Sequence, residues 1–352
     1  MSARRTRSVL SRYWQIVLPP FWSTSALWAV GTHGTPNNGT NIFSPASTPA
    51  KSIADLSILV LVITGIIFVV VFALLFYSLV KFRMRAIDAG REPAQVYGST
   101  QIELAWTIIP ILIVVVLFLA TARVIHAVDD APEPAAALDV IAIGHQYWWE
   151  FRYPKLGIVT ANELHVPVSN PDHPTPTFLQ LLSADTDHSF WVPELAGKTD
   201  LIPNHPNRMW MDPQRTGVFL GQCAQYCGTQ HAKMLLRVSV DGSEDFAAWV
   251  RAQQRPAVEG GGAIAGRRAF ERNACINCHA VAGTPADGRF GPDLTHLMSR
   301  ATIAAGAAEN THQNLRLWIQ NPSAIKPGSL MPAMKLSDAD LDAVVSYMET
   351  LH

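Results

Sequence analysis

The chemistry this chain can do is concentrated in four cysteines, all beyond residue 222 and in two close pairs, Cys223-x3-Cys227 and Cys275-x2-Cys278. So few thiols in 352 residues do not make a disulfide scaffold, and close pairs point to metal, cofactor or redox chemistry. The second pair continues as Cys275-Ile276-Asn277-Cys278-His279, the attachment pattern of a c-type haem. Two thiols one helical turn apart reach the two vinyl groups of one haem, and the imidazole that follows comes up beneath the iron. Zinc would want a second ligand pair here, and no other cysteine is near. A thioredoxin-like motif would want a βαβ context, which the sequence lacks. The sixth iron ligand is expected late in the segment. Met331, in Gly328-Ser329-Leu330-Met331-Pro332, is the first candidate and Met334 the second, while Met298 reads as core. His/Met ligation raises the potential and suits a haem that accepts and passes single electrons.

The first pair opens Cys223-Ala224-Gln225-Tyr226-Cys227-Gly228-Thr229-Gln230-His231-Ala232-Lys233-Met234. Two thiolates, an imidazole and a thioether on one loop select copper or zinc, and the methionine tips the choice to copper. One cysteine would make a mononuclear site, whereas two can bridge a pair of coppers that share one electron. A second histidine must then come from elsewhere, and His188, in Asp187-His188-Ser189-Phe190-Trp191-Val192-Pro193, is the strongest candidate. A structural zinc would have little use for Met234. A Cys223–Cys227 disulfide would leave the His/Met pattern unexplained. His145, His165, His173 and His205 have no such context and read as surface or satisfied histidines.

These sites need a scaffold, and the chain supplies it in blocks. The formal net charge is −1, so no basic footprint for nucleic acid exists. Leu56–Val80 is a run of 25 residues without charge, which as a helix spans roughly 37 Å, more than the ~30 Å core of a bilayer. Leu104–Ala122 is a second uncharged run, with Pro110 near its start. Lys81, Arg83, Arg85 and Arg91 lie between them, so this loop is cytoplasmic by the positive-inside rule and everything after about residue 125 is outside. The Gly-, Asn- and Pro-rich segment at residues 31–50 must also be outside. Arg4, Arg5, Arg7 and Arg12 before a patchy apolar stretch at 16–30, broken by Pro19 and Pro20, therefore read as a cleaved secretory signal, with a retained anchor as the alternative. Residues 138–240 read as short strands between Pro, Gly and Asn turns, a β-sandwich or barrel. A linker follows at 251–263, with Gln253, Gln254, Pro256 and Gly260-Gly261-Gly262. Short helices and loops come next. The last helix is amphipathic through Leu341, Val344, Val345 and Met348, with Ser337 as its N-cap.

Together these residues resemble subunit II of a haem–copper cytochrome c oxidase, in the variety with a cytochrome c domain fused to its C-terminus. The resemblance runs from about residue 50 to the end and is most specific in the copper loop. It extends to Gly144-His145-Gln146-Tyr147-Trp148-Trp149-Glu150, to Lys198-Thr199-Asp200 followed by Ile202-Pro203, and to Glu103-Leu104-Ala105-Trp106-Thr107. It implies a multidomain membrane protein: a two-helix transmembrane hairpin at 51–128, an all-β cupredoxin-like Greek-key barrel at 129–250 and an all-α class I cytochrome c domain at 264–352, behind a signal or anchor at 1–30.

The resemblance also implies a dinuclear copper centre (CuA) held by His188, Cys223, Cys227, His231, Met234 and the backbone carbonyl of Gln225. The haem c would be bound through Cys275 and Cys278, with His279 and Met331 on the iron. Glu103 would sit at the cytoplasmic mouth of a proton channel into subunit I. The family's glutamate at the Gln225 position helps hold magnesium; glutamine keeps the carbonyl but loses the charge, which puts magnesium in doubt. The family commonly has Trp where Tyr147 stands. Tyr147, Trp148 and Trp149 would carry electrons, with core packing as the competing reading.

The implied work is to take electrons from an external donor, such as a cytochrome c or a quinol-oxidising complex. They would pass through haem c and copper to subunit I, where oxygen becomes water with proton translocation. The partners are subunit I, other oxidase subunits and the membrane, a bacterial-type inner membrane with both redox domains on its periplasmic side. The nearest alternative is the electron-input subunit of a copper-containing nitric oxide reductase. A copper chaperone or thiol reductase would not need a haem, and a free-standing cytochrome would not need the hairpin.

Overall fold

The computed structural model describes residues 40–352 apart from 84–89, 91, 93, 94, 96, 132, 133, 135, 136, 173 and 258–262. The signal or anchor segment, Arg85, Arg91, His173 and the Gly260-Gly261-Gly262 run lie outside the described residues.

Two long helices come first, α1 (Thr48–Lys81) and α2 (Thr100–Asp129). Both are apolar all round and expose nearly every large side chain, as a lipid-facing helix does. Pro110 sits inside α2. At 34 residues, α1 is about 51 Å long, well beyond the bilayer core. Its extra turns are the polar ones before Leu56, which the uncharged run alone did not reveal. They seat on the β-rich domain: Ala50 and Ala54 are buried, and the Thr48 hydroxyl donates to Asp212 at 2.6 Å. The far end of α2 is tied down as well, because the Trp210 indole donates to the Val128 carbonyl.

Ten strands then build two five-stranded sheets. In chain order they are β1 (Leu138–His145), β2 (Trp148–Tyr153), β3 (Ile158–Ala161), β4 (Glu163–Pro167), β5 (Thr177–Ser183), β6 (His188–Trp191), β7 (Thr199–Leu201), β8 (Asn207–Met211), β9 (Gly217–Cys223) and β10 (Leu235–Asp241). One sheet runs β3-β2-β1-β5-β8 and the other β4-β10-β9-β6-β7. The β1–β5 and β4–β10 pairs are parallel and the rest antiparallel. Alternate residues turn inward, so Trp149, Phe151 and Tyr153 of β2 meet Phe190 and Val238 from the opposite sheet in one core. This is a cupredoxin-like sandwich, the all-β class the strand spacing predicts.

Helix α3 (Ser243–Gln253) leads out of the sandwich, and Trp249 stacks on His165 at 4.5 Å. The C-terminal domain holds α4 (Ala263–Arg272), α5 (His312–Gln320), α6 (Pro322–Ile325) and α7 (Asp338–Met348). Helices α4 and α7 pack through Phe270 and Tyr347, whose rings are 5.8 Å apart. The predicted cap is formed, with Ser337 Oγ accepting from the Asp340 amide. A two-residue hairpin was not anticipated: β11 (Thr302–Ile303) against β12 (Ala308–Glu309). It is too short to leave a periodic pattern.

One side chain closes an open sheet edge. The fully buried Tyr153 hydroxyl donates to the His165 carbonyl at 2.8 Å and accepts from the His165 amide at 2.9 Å, on edge strand β4. Tyr153→Phe is expected to leave both backbone groups unsatisfied and to destabilise the sandwich by about 1–3 kcal/mol, measured by denaturant unfolding.

Candidate copper and haem sites

The copper candidates are brought together by strand pairing. Antiparallel β6 and β9 set Phe190 opposite Cys223, which places His188 beside the end of β9. The loop that follows is pinned at both ends: the Cys223 amide donates to Met234 O at 3.0 Å, and the Ala224 amide to Ser189 O at 2.9 Å. His231 lies on a single 3-10 turn before β10. The donor atoms therefore converge. Cys223 Sγ is 3.9 Å from Cys227 Sγ and 3.9 Å from His188 Nδ1. Cys227 Sγ is 3.8 Å from His231 Nδ1 and 3.9 Å from Met234 Sδ. The Gln225 carbonyl oxygen is 3.1 Å from Cys223 Sγ, although its side chain is exposed.

These spacings fit shared metal ions. Bonds of roughly 2.0–2.1 Å to nitrogen and 2.3 Å to sulfur let two donors on one ion stand up to about 4.3 Å apart. Both cysteines are free thiols and both are buried. The hydrogen bond from Cys227, aided by His188, holds the Cys223 thiol well below the ordinary range. That same contact, together with burial, pushes Cys227 up.

The histidine is aimed by its neighbours. His188 is fully buried, and its Nε2–H donates to Asp185 at 2.8 Å, leaving the Nδ1 lone pair for the metal. Burial lowers its basicity, but Asp185 and Cys223 outweigh that and raise it. Asp185 also accepts from the Gln146 and Thr186 amides. A Cβ at Gly144 would fall 2.8 Å from the His188 ring, so only glycine leaves room for the imidazole.

The haem candidates line one cleft. Cys275, Cys278, His279, Met331 and Met334 all face it, while Met298 does not and packs on the domain core as expected. The His279 Nδ1–H donates to the Pro292 carbonyl at 2.8 Å, which leaves Nε2 for the iron. Burial lowers its pKa, so the neutral ring that a metal needs is favoured. A Cβ on Gly291 would sit 2.5 Å from His279 Cε1. Arg300, buried in the wall, donates to Asp293 O through Nη2, but its Nε has no partner. An orphaned guanidinium N–H suits a carboxylate-bearing ligand, and haem carries two.

The two sites share a wall. The Gln146 amide side chain donates to the Cys227 carbonyl at 2.6 Å, and Gln146, Tyr147 and Trp148 line the haem cleft. The Tyr147 hydroxyl accepts from the Thr229 amide at 3.1 Å on the copper loop. Trp148 stacks on His145 at 4.1 Å. Trp149 is fully buried, with its indole 3.4 Å from the Met234 carbonyl, so its ring belongs to the core as well as to the copper surroundings. His145 and His165 are satisfied by Glu150 and Asp241. Glu103 stands apart from both sites, exposed in the first turn of α2. The sequence reading missed Asp185 and Arg300. An acidic residue just before His188 was the available signal for the first; nothing marks the second.

Three family models match the chain. They are "Cytochrome C oxidase subunit II, transmembrane domain" over residues 36–124, "Cytochrome C oxidase subunit II, periplasmic domain" over 171–240 and "Cytochrome c" over 263–352. Cytochrome c oxidase subunit 2 of Alkalihalophilus pseudofirmus is 36% identical over 314 residues, covering 87% of this chain and 89% of that protein. The same subunit of Bacillus sp. strain PS3 is 34% identical, covering 77% of this chain and 80% of its own length. Among solved structures, the periplasmic domain of subunit II of cytochrome oxidase from Bradyrhizobium japonicum is 31% identical. It covers 34% of this chain and 96% of its own at a TM-score of 0.32, too low to add to the description of the fold.

Two substitutions test the geometry. Asp185→Asn is expected to weaken copper binding by roughly 10–100-fold without unfolding the domain, read by chelator competition. Gly291→Ala is expected to displace His279 and, in haem-loaded protein, to change the visible absorption from that of the unsubstituted chain.

Proposed function

The chain belongs to the cytochrome c oxidase subunit II family, and from that premise we propose that it is the electron-input subunit of a terminal respiratory oxidase. Single electrons reach subunit I through a covalent haem c and a dinuclear copper centre, and oxygen is reduced to water there with proton translocation. The observation that carries this reading is the shared wall: Gln146-Tyr147-Trp148 line the haem cleft while Gln146 holds the copper-loop carbonyl of Cys227.

In this reading Cys275 and Cys278 would hold the haem covalently, and His279 and Met331 would ligate its iron. His188, Cys223, Gln225 O, Cys227, His231 and Met234 hold the copper pair. The bound groups supply one-electron redox chemistry, and sharing an electron between two metals halves the charge change on each. The protein's own part is position and potential. Asp185 and the Pro292 carbonyl set the histidine tautomers, and buried thiols and thioether keep water away. Tyr147 and Trp148 fill the space between the two sites.

The domain limits follow the same logic: a hairpin at 51–128, a copper domain at 129–250, a linker at 251–263 and a haem domain at 264–352. Both redox domains lie on the periplasmic side of a bacterial-type inner membrane. Glu103 opens a proton channel at the opposite face. Gln225 offers magnesium a carbonyl and no carboxylate.

The test is the complex purified with its neighbouring subunit. A mixed-valence EPR signal from two coupled coppers, haem that stays with the polypeptide on denaturing gels, and consumption of oxygen are the expected results. Zinc in place of copper, haem lost on denaturation, or consumption of nitric oxide instead of oxygen would each overturn the corresponding part.

A further inference from the structure

Two buried ionisable side chains to which neither site assigns a ligand role lie where the C-terminal domain meets the sandwich, and one of them, Lys326, also lines the haem cleft. Lys326 is 2% exposed, just beyond α6, and its Nζ crosses the interface to the Tyr147 carbonyl at 2.7 Å and returns to the Ala304 carbonyl at 3.2 Å. Glu163 is 6% exposed at the start of β4 and reaches the other way. Its carboxylate accepts from the amides of Ala301 (3.1 Å) and Thr302 (3.0 Å) and from the Thr302 hydroxyl (3.0 Å). Among the described residues neither makes a salt-bridge contact, and the buried Arg300 guanidinium acts on Glu163 only through space. A buried lysine or glutamate without a counter-ion is costly unless its hydrogen bonds are met. Here every such bond goes to the hairpin region or to the wall between the two sites.

The surroundings agree. Between the two side chains Trp148, Ala161 and Ala305 form a dry cluster of their own. The Leu235 amide, next to ligand Met234, donates to the Ala305 carbonyl at 3.1 Å. Ala304, Ala305 and Gly306 all have positive φ (54°, 58° and 78°), a strained turn that persists only where its surroundings hold it. The hairpin tip is thus shaped to the copper loop.

We propose that Lys326 and Glu163 form a reciprocal side-chain-to-backbone latch that locks the haem domain onto the copper domain, making them positioning residues for haem-to-copper electron transfer. The proposal rests on the functional reading above. It goes beyond it in making the fused domain docked at rest rather than a swinging tether. Burial pulls the pKa of Lys326 down to about 7, yet either protonation state donates both hydrogen bonds, so the latch is one of geometry.

The experiment uses the full oxidase complex with Lys326→Met and Glu163→Gln. Hydrogen exchange at the Ala301, Thr302 and Leu235 amides reads docking directly. Each variant is expected to speed it by about tenfold or more while core amides of both domains stay protected. Transient absorption reads the internal step, which should slow by roughly tenfold or more and become sensitive to solvent viscosity, with donor-to-haem transfer unchanged. Gln253→Ala removes an exposed contact to Ser299 at 3.3 Å and should change neither. Should Lys326→Met not fold, Lys326→Gln, which keeps one donor, must still loosen the interface amides selectively. Unchanged exchange and unchanged internal transfer in the variants would overturn the latch. No haem-to-copper transfer in the wild type would instead overturn the functional reading.

Discussion

Two thiols 3.9 Å apart in a buried pocket cannot both ionise unless a cation sits with them, and the architecture follows from that demand. The cysteines are four residues apart at the end of one strand. The sheet therefore has to end there, and a neighbouring strand has to bring a histidine alongside. Register does this: β6 enters beside the end of β9, and the loop is closed by backbone hydrogen bonds at Cys223 and Ala224. The candidate donors owe their positions to one sheet, in which β6, β9 and β10 are neighbours. A rigid cage of this kind keeps its shape when the charge changes, which is what fast electron transfer asks of a protein.

The same economy appears in how the sandwich meets the membrane. A lipid-facing helix gains nothing from the aqueous domain beyond it, so the angle between them has to be set by specific contacts. Thr48 with Asp212, and Trp210 with the Val128 carbonyl, clamp the sandwich-facing ends of both helices. The height and tilt of the copper loop above the bilayer are then set by short polar contacts close to the lipid surface.

Much of this was legible in the chain. Cys275 to His279 and Cys223 to Met234 are contiguous, so their chemistry is written in one line of sequence, and both sets converge as that line implies. His188 is remote and was found only because the loop lacked a second imidazole. The final helix and its Ser337 cap were readable from periodicity and a local hydrogen bond. The early turns of α1 were not, because hydropathy registers lipid and misses a polar helix seated on protein. Arg300, Lys326 and Glu163 were illegible for a common reason. A charged residue is a surface residue by default, and only the tertiary fold reveals that these three are drawn inward and given work.

The latch has a consequence for how such a protein can change over time. Lys326 and Glu163 grip main-chain carbonyls and amides, and nearly every residue presents those groups alike. Tyr147, Ala301 and Ala304 can therefore be replaced without removing the acceptor or donor that the latch uses. Drift at Tyr147 and Ala301 is tolerated, while Lys326 and Glu163, and beside them Gln230 and Lys233, reach across with side chains that cannot be exchanged so freely. An interface built this way concentrates its constraint in the few side chains that reach across it and asks little of the residues whose backbone they grip.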